Sequence, residues 1–274
     1  MLTPHALLVP TLPTLLVDEH RGHRTEMLAA IGEAAARLHA DAPEAIVVVS
    51  ARWRAAGPFL AGANRRHTTI TDYHGFGVEV RYDCPGDPGL ARAVVDTATR
   101  ARVRAATSTR GVDSGVTVPM HFLVPERGRR VVPVSVSDAP AAAHRAWGDA
   151  IRRALAARPE RIAFVVGGLL SNNEHAWGLR REVPESRAFD EGVLDALARG
   201  AWDDLGRRDR ATLERAQPDA GLRHLEVLRG FLGGAGAGTV ECYEASPGVG
   251  AALLRFDLAV PASRAADDRS SGEA

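Results

Sequence analysis

With 274 residues, 45% of them hydrophobic and 25% charged, the chain is long enough for one large core or two small ones. Its 34 basic and 34 acidic residues cancel to a formal net charge of zero, so nothing favours nucleic acid or an anionic membrane as a partner. Every basic residue is arginine, which together with alanine-rich segments reads as coding bias and not as phosphate recognition. Cys84 and Cys242 lie far apart without a CxxC spacing and are expected to be reduced thiols.

The first stretch, MLTPHALLVPTLPTLLVDE, is apolar but has no basic n-region and is broken by Pro10 and Pro13. It is expected to form a buried strand and a loop, not a leader. No run approaches the ~18 apolar residues of a membrane helix, and a cytoplasmic protein is expected. Ala6–Val9, Ala45–Val49, Arg130–Val136 and Ile162–Val166 are β-rich and almost unbroken, the pattern of strands buried on both faces of a mainly parallel sheet. Amphipathic stretches alternate with them: His23–Leu38, Pro88–Val103, Ala139–Ala157, Glu185–Leu205 and Gly221–Leu232. Asp87, followed by Pro88, and Asp138 are the expected helix starts. Two last strands, near Thr239–Tyr243 and Ala251–Asp257, flank a Pro-Gly turn at Ser246–Gly250.

The fold class this predicts is α/β, a single domain with a mixed or mostly parallel central sheet flanked by helices. The domain is placed at residues 1–260. The Ala/Arg/Asp/Ser-rich tail, 261–274, has no periodicity and is expected to be disordered. Two short patterns carry little. GFLGGAGAG lacks the Lys-Ser/Thr of a phosphate loop and should end a helix, and GVDSGV lacks the G-x-S-x-G spacing of a hydrolase. Trp53, Trp147, Trp177 and Trp202 are read as core or helix-packing residues.

Several longer segments do carry chemistry. In order they are LVPTLPTLLVDE, VVVSARW, TDYHGFG, GVDSGVTVPMHFLVPERGRRVVPVSVS and VVGGLLSNNEH, with FDEGVLDALARGAWDDL, LRHLEVLRGFLGG and YEASPGVG beyond them. Together they resemble the LigB-like class III extradiol ring-cleavage dioxygenase superfamily, from Leu8 to Leu258. The resemblance implies iron-ligand histidines in a PHPP-like first segment and in S-[AP]-H-W. It also implies a DHG motif and an acid/base histidine in GSGNLSH. At those places this sequence has Thr11, Arg52, Ser114 and Asn172.

Class III chemistry holds Fe(II) with two neutral imidazoles and one carboxylate. Threonine competes poorly with water for ferrous iron, and an arginine puts a permanent cation where the metal would sit. Asparagine cannot titrate near neutral pH as histidine does. No cofactor is therefore expected. Fe(II) would return only if a site had been rebuilt, with His74, His175 and Glu244 as its ligands. His20 and His23, read as sharing one helix face beside Asp18 and Glu19, form a weaker metal candidate. His121 is expected to pack on a helix.

In the old pocket Arg52, Thr11, Ser114 and Tyr73 are the candidate substrate-binding residues, and Asn172, His175 and His74 the candidate catalytic ones. Arg52 would either bind a carboxylate or phenolate directly or fill the vacated metal space by pairing with Glu241 or Glu244. Three roles follow. The first is a non-catalytic subunit or small-aromatic-binding protein, as a homo-oligomer or beside an active homologue. The second is an enzyme, either ring-cleaving with a relocated metal or metal-free. The third is a Memo-like protein-binding scaffold.

Overall fold

The structure, a computed structural model, describes residues 1–207, 209–234 and 236–258. The tail expected to be disordered lies outside them. In chain order the elements are β1 (Leu2–Val9), α1 (Thr14–His20), α2 (Glu26–Ala40), β2 (Ala45–Ala55), β3 (Phe59–Gly62) and β4 (Arg66–His67). Next come β5 (Cys84–Pro85), α3 (Pro88–Arg100), β6 (Ala105–Ser108), α4 (Ser114–Leu123), β7 (Arg130–Ser137) and α5 (Ala141–Ala156). The chain continues through β8 (Ile162–Gly167), α6 (Glu174–Gly178), α7 (Pro184–Ala198), α8 (Arg210–Ala216), α9 (Arg223–Phe231), β9 (Gly238–Ser246) and β10 (Val249–Asp257).

The main sheet runs β6-β3-β7-β2-β8-β1-β10-β9. Its centre is parallel, since β7, β2, β8 and β1 pair in that sense. β10 and β9 add antiparallel strands beyond β1, and β3 pairs antiparallel with β7 at the other side. This is the mixed, mostly parallel α/β sheet predicted from the sequence.

The apolar runs are explained by burial on both faces. In β2, Val47 and Val49 join one core layer with Trp147 of α5 and Leu225 of α9, whereas Ile46 and Val48 join another with Met27 of α2 and Val116 of α4. Strand side chains alternate with period two, so both sets must be apolar once helices cover each side. The α5–α9 crossing is unusually close. A methyl on Gly148 would meet the Val227 carbonyl oxygen at 1.9 Å, and one on Gly230 would meet that of Arg145 at 1.9 Å.

Asp87 does cap α3, accepting from the Leu90 amide at 2.8 Å. Asp138 does not start α5; Pro140 precedes that helix with no side-chain cap. The loop expected after β1 contains α1, so His20 ends one helix and His23 lies between two. His23 pairs with Asp18 at 2.9 Å, and His121 on α4 pairs with Glu19. The shared histidine face is therefore not formed. Glu185–Leu205 is not one helix either: α7 stops at Ala198, and a 3-10 turn, Trp202–Gly206, follows. Both cysteines are free, as expected.

Candidate ligand cleft

The parallel strands β1, β2 and β8 all end on one side of the sheet, where open α/β folds bind ligands. β1 leads into Thr11, and β8 leads through Gly168 to Asn172. β2 breaks its pairing with β7 between Ser50 and Arg54. At that bulge the Ser50 hydroxyl accepts from the Arg52 and Trp53 amides, both at 3.2 Å, and donates to Asp113 at 2.7 Å. Asp113 also caps α4 through the Gly115 amide at 3.0 Å and takes an ion pair from Arg110 at 2.7 Å. One buried carboxylate thus locks the bulge that re-aims β2 to the first turn of α4. Gly115 permits the approach, because a methyl there would meet Ser50 Oγ at 2.1 Å.

These local devices bring Thr11, Arg52, Ser114 and Asn172 to the wall of one cavity of about 420 Å³. That volume suits a small organic ligand. Tyr73, Phe76 and Trp177 line it too, with Leu12, Pro13 and Val249. Phe76 and Trp177 stand with ring centroids 6.0 Å apart. Tyr73 is buried, shares a hydroxyl hydrogen bond with Thr117, and has its phenol pKa pushed up mainly by that burial. Ser114 opens α4, so its amide has no helical partner and adds to the positive end of the helix dipole. Thr11 is fully buried, and its hydroxyl has no hydrogen-bond partner.

Arg52 carries the charge of the cleft. Its guanidinium pairs with Glu174 at 2.9 Å and donates to Asn172 Oδ1 at 3.4 Å, while Asn172 Nδ2 donates to Glu174 at 3.2 Å. The expected pairing of Arg52 with Glu241 or Glu244 is not what forms. Glu241 is held between Arg37 and Arg255, and Glu244 accepts from the Met27 amide. Register explains this: Glu244 pairs opposite Ala251 in the β9–β10 ladder, beside α2 and away from Arg52. Glu174 remains 72% exposed, so its bond to Arg52 contributes only about 0–1 kcal/mol.

The other expectations divide. His74 does not line this cavity; it pairs with Asp72 at 2.8 Å in a separate polar hollow. His175 is exposed on α6 and is not among the lining residues. His74, His175 and Glu244 are therefore not gathered into a rebuilt metal site. Trp177, read as core, is a half-buried cleft residue, whereas Trp53, Trp147 and Trp202 are buried as read. Glu174 and Phe76 were not singled out. For Glu174 the usable signal was its i,i+3 spacing from Trp177, which puts both on one helix face.

A ferrous centre of the facial-triad kind does not fit these donors. Among the described residues no imidazole lines the cavity, and the one lining carboxylate, Glu174, is engaged by a guanidinium. Among the described residues no group of three or more His, Cys, Asp or Glu side chains is placed to hold a metal ion.

An α/β sheet with helices on both faces and a cleft at its parallel strand ends defines the class of protein. Residues 3–256 match the family described as the catalytic LigB subunit of aromatic ring-opening dioxygenase, and the chain belongs to that family. It is 32% identical over 215 residues to the dioxygenase TasH of Hapsidospora irregularis, a match covering 70% of this chain and 64% of that protein. It is 33% identical over 158 residues to the 4,5-DOPA dioxygenase extradiol of Escherichia coli strain K12, covering 55% and 57% of the two chains. The enzyme of the same name from Beta vulgaris is 24% identical over 208 residues, covering 73% and 76%. A crystal structure of an uncharacterized Escherichia coli K12 protein shares the fold, with a TM-score of 0.68 at 20% identity over 92% of this chain and 98% of that one. Among the described residues no helix is long and apolar enough to cross a membrane.

Proposed function

We propose that this chain takes up a small aromatic molecule in its strand-end cleft without the Fe(II) centre of ring-opening relatives, and does not itself cleave the ring. The observation that carries this is Arg52, a permanent cation tied to Asn172 and Glu174 among cleft residues that include no imidazole. Support for an aromatic occupant comes from the walls, Tyr73, Phe76 and Trp177, and from relatives named for ring opening or for DOPA. In this role Arg52 holds an anionic or phenolic oxygen, the Ser114 amide adds a donor, and the aromatic side chains bracket the ring.

The test is elemental analysis of protein purified anaerobically and offered Fe(II), followed by oxygen uptake with catechol. The expected result is iron far below one atom per chain, folding unchanged by chelator, and no oxygen consumption above buffer. One iron per chain with ring cleavage would sink the proposal. The accessory-subunit role is checked in the same preparation, where an intact homologue should co-purify.

A further inference from the structure

We infer that the cleft selects aromatic acids, and that Glu174 is an internal stand-in for the ligand's carboxylate on Arg52. This rests on the reading of the cleft as an iron-free binding site and names its ligand class. Three observations meet here. The first is that, among the described residues, Arg52 is the only basic side chain lining the cavity, and it already holds a carboxylate at 2.9 Å. That carboxylate comes from the exposed end of α6, and α6 also contributes Trp177 to the wall. The second is that the remaining wall is largely apolar and aromatic, so it accepts a ring but offers little to a free inorganic anion. The third is Ser114, which lines the same wall and opens α4, so its backbone amide has no partner within the helix and can donate to an anion.

A carboxylate entering with a ring attached meets the same guanidinium in a more sheltered place than Glu174 does. Planar two-oxygen acceptors suit the guanidinium fork, and screening by water is less inside the cleft. Glu174 is then released to solvent at little cost, because most of it is already there. A neutral catechol has no group to exchange with Glu174, so the site prefers benzoate-type acids to diols.

The experiment is calorimetric titration of the whole chain, in chelator-containing buffer, with benzoate, acetate and catechol. Metal content is measured on the same sample. Benzoate should bind one to one and more tightly than either acetate or catechol. Glu174→Gln should tighten benzoate roughly three- to fivefold, because the competitor loses its charge. Arg52→Gln should weaken it about 10- to 100-fold, with Arg52→Lys between, since charge without the fork recovers only part of the contact. The gain in Glu174→Gln cannot arise from damaged folding, which keeps the test decisive if the Arg52 variants prove unstable. Catechol or acetate binding as well as benzoate, or a Glu174→Gln variant no tighter than the parent, would overturn the inference. The two proposals fail separately. An iron-free protein that ignores benzoate sinks the aromatic-acid assignment alone, whereas one iron per chain sinks the iron-free reading beneath it.

Discussion

Two buried titratable residues flank the cleft loops and work against each other. Asp190 on α7 accepts from the Ser171 amide at 2.7 Å, the Ser171 hydroxyl at 2.8 Å and the Tyr243 hydroxyl at 3.0 Å, which fixes the loop before Asn172. Burial raises its pKa to about 6, the donors only partly offsetting desolvation. His224 on α9 is wholly buried against Gly168, and desolvation lowers its pKa to about 4. The raised carboxyl gives stability that is complete below its unfolded pKa and lost as pH rises through about 6. The depressed imidazole gives stability that is present above its unfolded pKa and lost as pH falls through about 4. Each is on the order of 3 kcal/mol by the size of the shift, with opposite slopes over the same window. Urea unfolding between pH 4 and 6.5 should therefore show a shallow dependence in the parent. In His224→Gln stability should climb as the solution is acidified, and in Asp190→Asn it should drop. Parallel curves for the two variants would contradict the opposed slopes.

At the scale of elements, the close α5–α9 crossing gives a prediction away from the cleft. Gly148→Ala drives a methyl into the Val227 carbonyl and should cost about 1–3 kcal/mol, seen as a lower Tm, while ligand binding in the folded protein is kept. What the sequence disclosed about elements follows the same physics. Strands β1, β2, β7 and β8 were readable because helices cover both faces and leave the runs almost entirely apolar. β3 and β6 were missed, since four-residue strands such as Phe59–Gly62 and Ala105–Ser108 leave too little pattern. α4 was hidden by its β-branched residues and by Pro119 inside the helix, both of which argue against helix locally. The cleft positions Thr11, Arg52, Ser114 and Asn172 were legible from motif order, and they do meet. Glu174 was not, because its spacing from Trp177 gives a shared helix face but not the strand whose arginine it meets.

For the whole molecule, the sheet order sets how its ends depend on one another. β1 lies between β8 and β10, and among the described residues β9 pairs only with β10. A chain cut before β9 would leave the outer edge of β1 unpaired along Leu7 and Leu8, whose register partners are Arg255 and Leu254. Such a truncation should aggregate during expression, while the parent stays monodisperse by light scattering.

That placement of β1 also bears on how the protein is made. The strand leaves the ribosome well before its neighbours β8 and β10, which begin at Ile162 and Val249. At ordinary synthesis rates it waits roughly 10–50 s for them. Through that interval an apolar strand stands without either partner, and the segment bearing Thr11 has no fixed position. The cleft is thus absent from the nascent chain until β10 has been synthesised. Overproduction at low temperature with a chaperone that shields extended apolar segments should raise the yield of folded protein more than any change at the cleft.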